Sequence, residues 1–169
     1  MANVFTAGEE RLDLSNGGTD VFVEVLMLAV SALAESEWER RFAALLNQQD
    51  QHVMGNGVVG FDLADVDWGA DPYGARDFVL RAVRLARHRH RWDELRYDPP
   101  HAEGYLRRYE AMVAAFDPLD PPPPGFLAGC TDFPAPEEAA SASCLRHRVL
   151  SGLPQWHGCV FCRSGLLRS

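Results

Sequence analysis

The chain has 169 residues, 47% of them hydrophobic and 24% charged, with a formal net charge of −8. That length predicts one domain, or one with a small appendage, able to bury about 70% of its extended surface without cross-links. The composition excludes a disordered chain, and no apolar run reaches the roughly 18 residues that span a bilayer.

Residues 3–15 alternate weakly, with Val4, Phe5, Leu12 and Leu14 apolar, and predict a short strand pair or an irregular arm. "SNGGTD" then reads as a break, with Thr19 or Asp20 as helix cap. Residues 21–35 are apolar nearly all round and predict a central buried helix. Ser36 and Glu39 match the Ser-x-x-Glu capping box, so a second helix starts there. Its apolar face carries Trp38, Phe42, Leu45 and Leu46, and its wet side Glu37, Arg40 and Arg41. "GNG" at 55–57 ends that segment. "VVGFDLADVDW" fits a short strand or an extended packing segment. Asp71-Pro72 is a helix start, because proline at the first turn sacrifices no hydrogen bond. The helix over about 73–91 buries Phe78, Val79, Ala82, Val83 and Ala86. "YDPP" breaks the chain, and a last helix over 102–116 aligns Tyr105, Leu106, Tyr109, Met112, Val113 and Phe116. "DPLDPPPPG" cannot continue a helix and predicts a stiff polyproline spacer. Residues 126–143 read as exposed chain or a short helix. The expected architecture is mainly α: a helical body over 1–117, a Pro-rich linker over 118–143, and a metal-binding tail over 144–169.

Three of the four cysteines lie in that tail. They are arranged as Cys144-x2-His147, eleven intervening residues, then Cys159-x2-Cys162. Two residues between ligands let a tight turn aim both side chains at one ion, and the loop brings the second pair round. Three thiolates and one imidazole suit Zn2+. Four protein ligands fill its sphere, so one structural zinc per chain is expected, supplying folding energy that so short a segment lacks. Ser151-Gly152 offers a turn, and Val149, Leu150, Leu153 and Trp156 an apolar lid. His157 competes with His147 as ligand, and Cys130 is a leftover thiol. Free packed cysteines, or a disulfide between two of them, are the bland alternatives.

Cys144-Leu-Arg-His147 and Gly158-Cys159-Val-Phe-Cys162 resemble the knuckles of short zinc-ribbon modules, though Pro after the first Cys and Gly after each knuckle are missing. The resemblance implies a small zinc-ribbon-like module. "FDLADVDW", the helix after it and the terminal Gly-Cys-x-x-Cys also resemble a loose family of small bacterial proteins with a helical body and a zinc tail. Some of these are immunity- or antitoxin-like partners, which implies a protein-binding role.

Every basic side chain is Arg, and the charge is uneven. Residues 1–75 carry 3 Arg and 13 acids, residues 76–108 carry 9 and 5, and residues 109–169 carry 4 and 6. The acidic first part disfavours general nucleic-acid binding and suits a basic partner. "RAVRLARHRHRW" is the concentrated basic stretch: on a helix Arg81, Arg84, His88 and Arg91 form one stripe, either a solvated face or a contact for phosphates or a partner. Asp62, Asp65, Asp67 and Asp71 lack EF-hand spacing and read as an acidic surface loop. Glu24 is expected to pair with Arg81 or Arg84. There is no phosphate loop, nucleophile elbow, His-Glu-x-x-His pair or dinucleotide fingerprint, so no catalytic residue is assigned. The N-terminus lacks the pattern of a secretion signal, and a cytoplasmic location without membrane attachment is expected. The leading functional expectation is therefore a non-enzymatic, immunity- or adaptor-like protein that docks another protein. A nucleic-acid-associated zinc regulator using residues 81–91, and an enzyme of unknown class, are the alternatives.

Overall fold

Phe5, Leu12 and Leu14 set the register of the first element. Strands β1 (Asn3–Ala7) and β2 (Glu10–Leu14) pair antiparallel, with Phe5 opposite Leu12 and Asn3 opposite Leu14. The two-residue loop puts Gly8 at φ +62°, a conformation glycine adopts without a Cβ penalty. The computed structural model describes residues 3–50, 59–120, 133–140, 143–150 and 159–164. The expectations placed on 55–57, 121–125, Cys130, 151–153, Trp156 and His157 lie outside them.

Helix α1 (Asn16–Leu33) begins inside the stretch read as a break, and its cap is Ser15, not Thr19 or Asp20. The Ser15 side chain accepts from Gly18 N at 3.1 Å, and the Thr19 hydroxyl donates to Ser15 O at 2.8 Å. Gly18 has a packing reason to be there: a Cβ would sit 3.1 Å from the Tyr105 hydroxyl. Residues 21 to 30 of α1 are all buried, and the helix forms the centre of the protein. It is the one helix among the described residues long and apolar enough to cross a membrane, yet 67% of it is buried inside the protein, as in a core helix.

Helix α2 (Glu37–Gln48) carries the expected capping box: Ser36 Oγ accepts from Glu39 N, and Glu39 Oε2 accepts from Ser36 N at 2.8 Å. Arg41, expected on the wet side, is instead largely covered. It donates to Pro134 O at 2.7 Å and its guanidinium lies 4.7 Å over the Phe133 ring. Residues 59–62 run beside β1 as extended chain, with Val4 N donating to Val59 O and Thr6 N to Phe61 O. Gly60 makes the approach close enough: at φ +121°, a Cβ there would lie 1.8 Å from Val4 O. A 3-10 turn over Leu63–Asp65 follows. The nearby aspartates serve the chain turns, as Asp62 accepts from Ala64 N, Asp67 from Gly69 N, and Asp71 from Gly74 N.

Helix α3 (Pro72–Arg87) starts at Asp71-Pro72 and stops four residues short of the expected end. Arg89 and Arg91 both adopt φ of +60°, which turns the chain out of the helix without any glycine to announce it. Helix α4 (Ala102–Ala115) follows and packs along α3. Together these make the protein mainly helical. Residues 133–140 lie on α2: Phe133 and Ala140 are buried, and Ala140 N donates to Arg40 O at 3.1 Å. In the tail, β3 (Ser143–Cys144) and β4 (Val149–Leu150) pair antiparallel, and a short helix α5 (Val160–Ser164) ends the described chain. β4 meets α1 and α2, and Leu150 N donates to the Ser31 hydroxyl at 3.0 Å. Val149, Val160 and Phe161 join the same apolar core as α1 to α4.

Candidate metal centre

The hairpin between β3 and β4 reverses over four residues, with Arg148 at φ +54° and its N–H donating to Cys144 O at 2.6 Å. That tight return folds Cys144 and His147 toward one point. The second pair comes from α5, whose first turn is closed by Cys162 N donating to Cys159 O at 3.0 Å. Side chains three apart on a helical turn share a face, so Cys159 and Cys162 also converge.

The ligand atoms of Cys144, His147, Cys159 and Cys162 all lie within 4.8 Å of one another. His147 Nδ1 is 3.7 Å from Cys144 Sγ, 3.6 Å from Cys159 Sγ and 3.3 Å from Cys162 Sγ. The Cys144 and Cys162 sulfurs are 3.6 Å apart. A tetrahedron built on metal–sulfur bonds of about 2.3 Å and metal–nitrogen bonds of about 2.05 Å has edges of about 3.6–3.8 Å. Three of these four separations match such edges, and the 3.3 Å between His147 Nδ1 and Cys162 Sγ is shorter. These cysteines are free thiols, which sets aside a disulfide among them. The group is thus near enough to hold a metal ion, with Nδ1 as the imidazole ligand atom.

Electrostatics favour an ion there. Cys159 is buried, and burial pushes its thiol up to about 12. A buried thiolate in that position requires a cation to offset its desolvation. Burial, with help from Arg146 and Arg91, lowers the pKa of His147, so its imidazole is neutral at pH 7 and offers a lone pair. Cys162 is exposed and Cys144 half-buried, so the site sits at the surface with its inner wall on the core.

A residue that sequence reasoning placed elsewhere holds the first knuckle. Arg91, expected on the basic stripe, donates to His147 O at 2.7 Å and to Arg148 O at 3.2 Å. Its own position is fixed by Glu94, which accepts from Arg91 Nε at 2.8 Å and pairs also with Arg148. The body thereby grips the backbone of the ligand turn through one guanidinium. No sequence spacing exposes this contact, because it joins residues 56 and 57 positions apart.

The other stripe residues separate. Arg81 lies over Phe78 with its guanidinium 5.8 Å from the ring centre. Arg84 and His88 line one cleft together with Arg87 and Arg107. Glu24, expected to pair with Arg81 or Arg84, instead accepts from the Tyr97 hydroxyl, while Arg84 pairs with Glu110. Glu24 points from the central helix toward the turn after α3, out of reach of the outer α3 arginines. Compared with protein-family models, curated proteins and solved structures, the chain matches none.

Proposed function

We propose that this chain is a non-catalytic, protein-binding protein of the immunity or adaptor kind, working in the reducing cytoplasm, with a tail closed by one structural zinc ion. The observation that supports it most is the donor set: three sulfurs and one Nδ1 at tetrahedral spacing, complete without a water. Zinc is preferred over other ions because a mixed thiolate and imidazole set suits a cation of intermediate softness with no redox demand. A filled sphere has no open position for a substrate, so the ion's work is architectural, as in a zinc-ribbon-like module.

The partner reading draws on charge. A cleft of about 340 Å3 beside β2 and α4 is lined by Glu10, Asp62, Asp117 and Asp120 over Met112 and Phe116. Such a surface complements the cation and aliphatic stem of a basic side chain. Of the basic stripe, Arg91 is committed to the tail and Arg81 to Phe78, which favours this reading over a nucleic-acid regulator.

The purified full-length protein is expected to carry about one zinc per chain by elemental mass spectrometry. Cys159→Ser, which removes the buried ligand, is expected to cut that content several-fold. A zinc content unchanged in the variant overturns the assignment of this ligand, and a metal-free wild type overturns the centre.

A further inference from the structure

We infer that the cleft between α3 and α4 is an oxyanion site that takes a single phosphate group, free or as a small phosphomonoester. The cleft, about 260 Å3 in volume, is lined by Arg84, Arg87, His88, Arg107 and Glu103. Three guanidiniums thus face one carboxylate. Glu110 lies behind them and pairs with Arg84 at 2.8 Å and with Arg87. The bonds to Glu110 use Nε of Arg84 and Nη1 of Arg87. A guanidinium has five N–H donors in a rigid fork. Glu110 therefore fixes the two groups while leaving most of their donors unspent.

Arg107 comes from the facing helix and makes no ion pair or hydrogen bond with a described residue. Its side chain is the one guanidinium of the cleft without a partner among the described residues. Glu103 is shared with Arg89 at 3.4 Å, which leaves its carboxylate less able to neutralise Arg107. The helix dipoles oppose each other here. The C-terminal end of α3 disfavours an anion, and the N-terminal end of α4, which no side chain caps, offsets it. Arginine forks match the oxygens of a phosphate.

The volume and the rim argue for one phosphate and against a strand. Drug-sized ligands occupy about 300–1,000 Å3, so this cleft suits a smaller group. A nucleic acid would bring further phosphates against Glu103 and a protein of net charge −8. That repulsion opposes the many-phosphate contacts which give polymers their affinity.

The test is a titration of the full-length protein with sodium phosphate at constant ionic strength, followed by amide NMR shifts and calorimetry. One saturable site is expected, with shifts centred on residues 84–88 and 103–107. Arg107→Ala is expected to weaken binding about tenfold, as losing a charged hydrogen-bonding partner does. Arg96→Ala removes an equal charge from a different cleft and is expected to leave the affinity unchanged. Tighter binding of glycerol phosphate than of inorganic phosphate shows that the group arrives on a small molecule; the reverse shows the free ion. Three results overturn the inference: no saturation beyond chloride, an equal loss in both variants, or a ten-nucleotide single strand binding far more tightly than phosphate.

Discussion

Glu24 lies on the central buried helix, and no cation among the described residues pairs with it. Burial first, and then the charges of Asp50 and Asp20, push its carboxyl up to about 8, against the opposing hydrogen bond from Tyr97. Its Oε1 is buried without a hydrogen-bond partner among the described residues. Below the unfolded value of 4.5 both states hold the proton, and stability is insensitive to this group. Between that value and about 8 the unfolded chain releases a proton that the folded one keeps. Stability therefore falls as pH rises through this window, by up to about 1.4 kcal/mol per unit. Glu24→Gln removes the effect. Urea unfolding of the two proteins from pH 5 to 8 is expected to show a difference that grows with pH in favour of the variant; parallel curves refute it. Sequence reasoning found the buried helix from a run that is apolar nearly all round, but assigned Glu24 the wrong partner. Composition makes arginine the nearest available answer, and the Tyr97 contact spans 73 positions.

Local chemistry decided which element boundaries were legible. Ser36, Glu39 and Asp71 mark helix starts through hydrogen bonds to residues three or four away, Pro72 does so through its fixed φ, and both starts stand where they were expected. The end of α3 depends on arginines in left-handed conformations, which no composition signals. The four candidate ligands, whose ligand atoms the fold brings within 4.8 Å of one another, were readable for the same reason as the caps, since the members of each pair are separated by two residues. Their anchor was not. Arg91 meets the turn between β3 and β4 at the carbonyls of His147 and Arg148, so it is placed to position the imidazole from outside the group of candidate ligand atoms. Second-sphere partners of this kind typically alter metal affinity 10–100-fold. Arg91→Ala is expected to weaken zinc retention about tenfold in competition with a chromophoric chelator, and Arg91→Lys to recover only part of it, lacking the fork. Equal retention in Arg91→Ala shows that the clamp does not position the ligand.

At the scale of the molecule, the tail and the helices share one apolar core. Val149, Val160, Phe161, Phe133 and Ala140 belong to the same buried cluster as the helices, and the Leu150–Ser31 hydrogen bond ties β4 to α1. Loss of an ion held by the four tail residues would then be felt by the whole fold. Chelation is expected to lower the midpoint of the helical melt, followed by far-UV circular dichroism, by at least about 5 °C. A melt unmoved by chelation places the tail outside the cooperative unit. Pairing across such distances is what composition and periodicity carry least: apolar residues in the tail were visible, but not the surface that covers them.

The small sheet at the N-terminus has a further bearing on how this protein meets others. β1 is flanked on one side by β2 and on the other by residues 59–62, which leaves it no vacant rim. β2 is short, bears Glu10, Arg11 and Asp13, and has the Arg11 carbonyl engaged by Arg108 at 3.4 Å. Charged, brief and partly covered borders resist the annealing of a stranger's backbone. Lengthening of the ribbon into fibrils accordingly has little to start from.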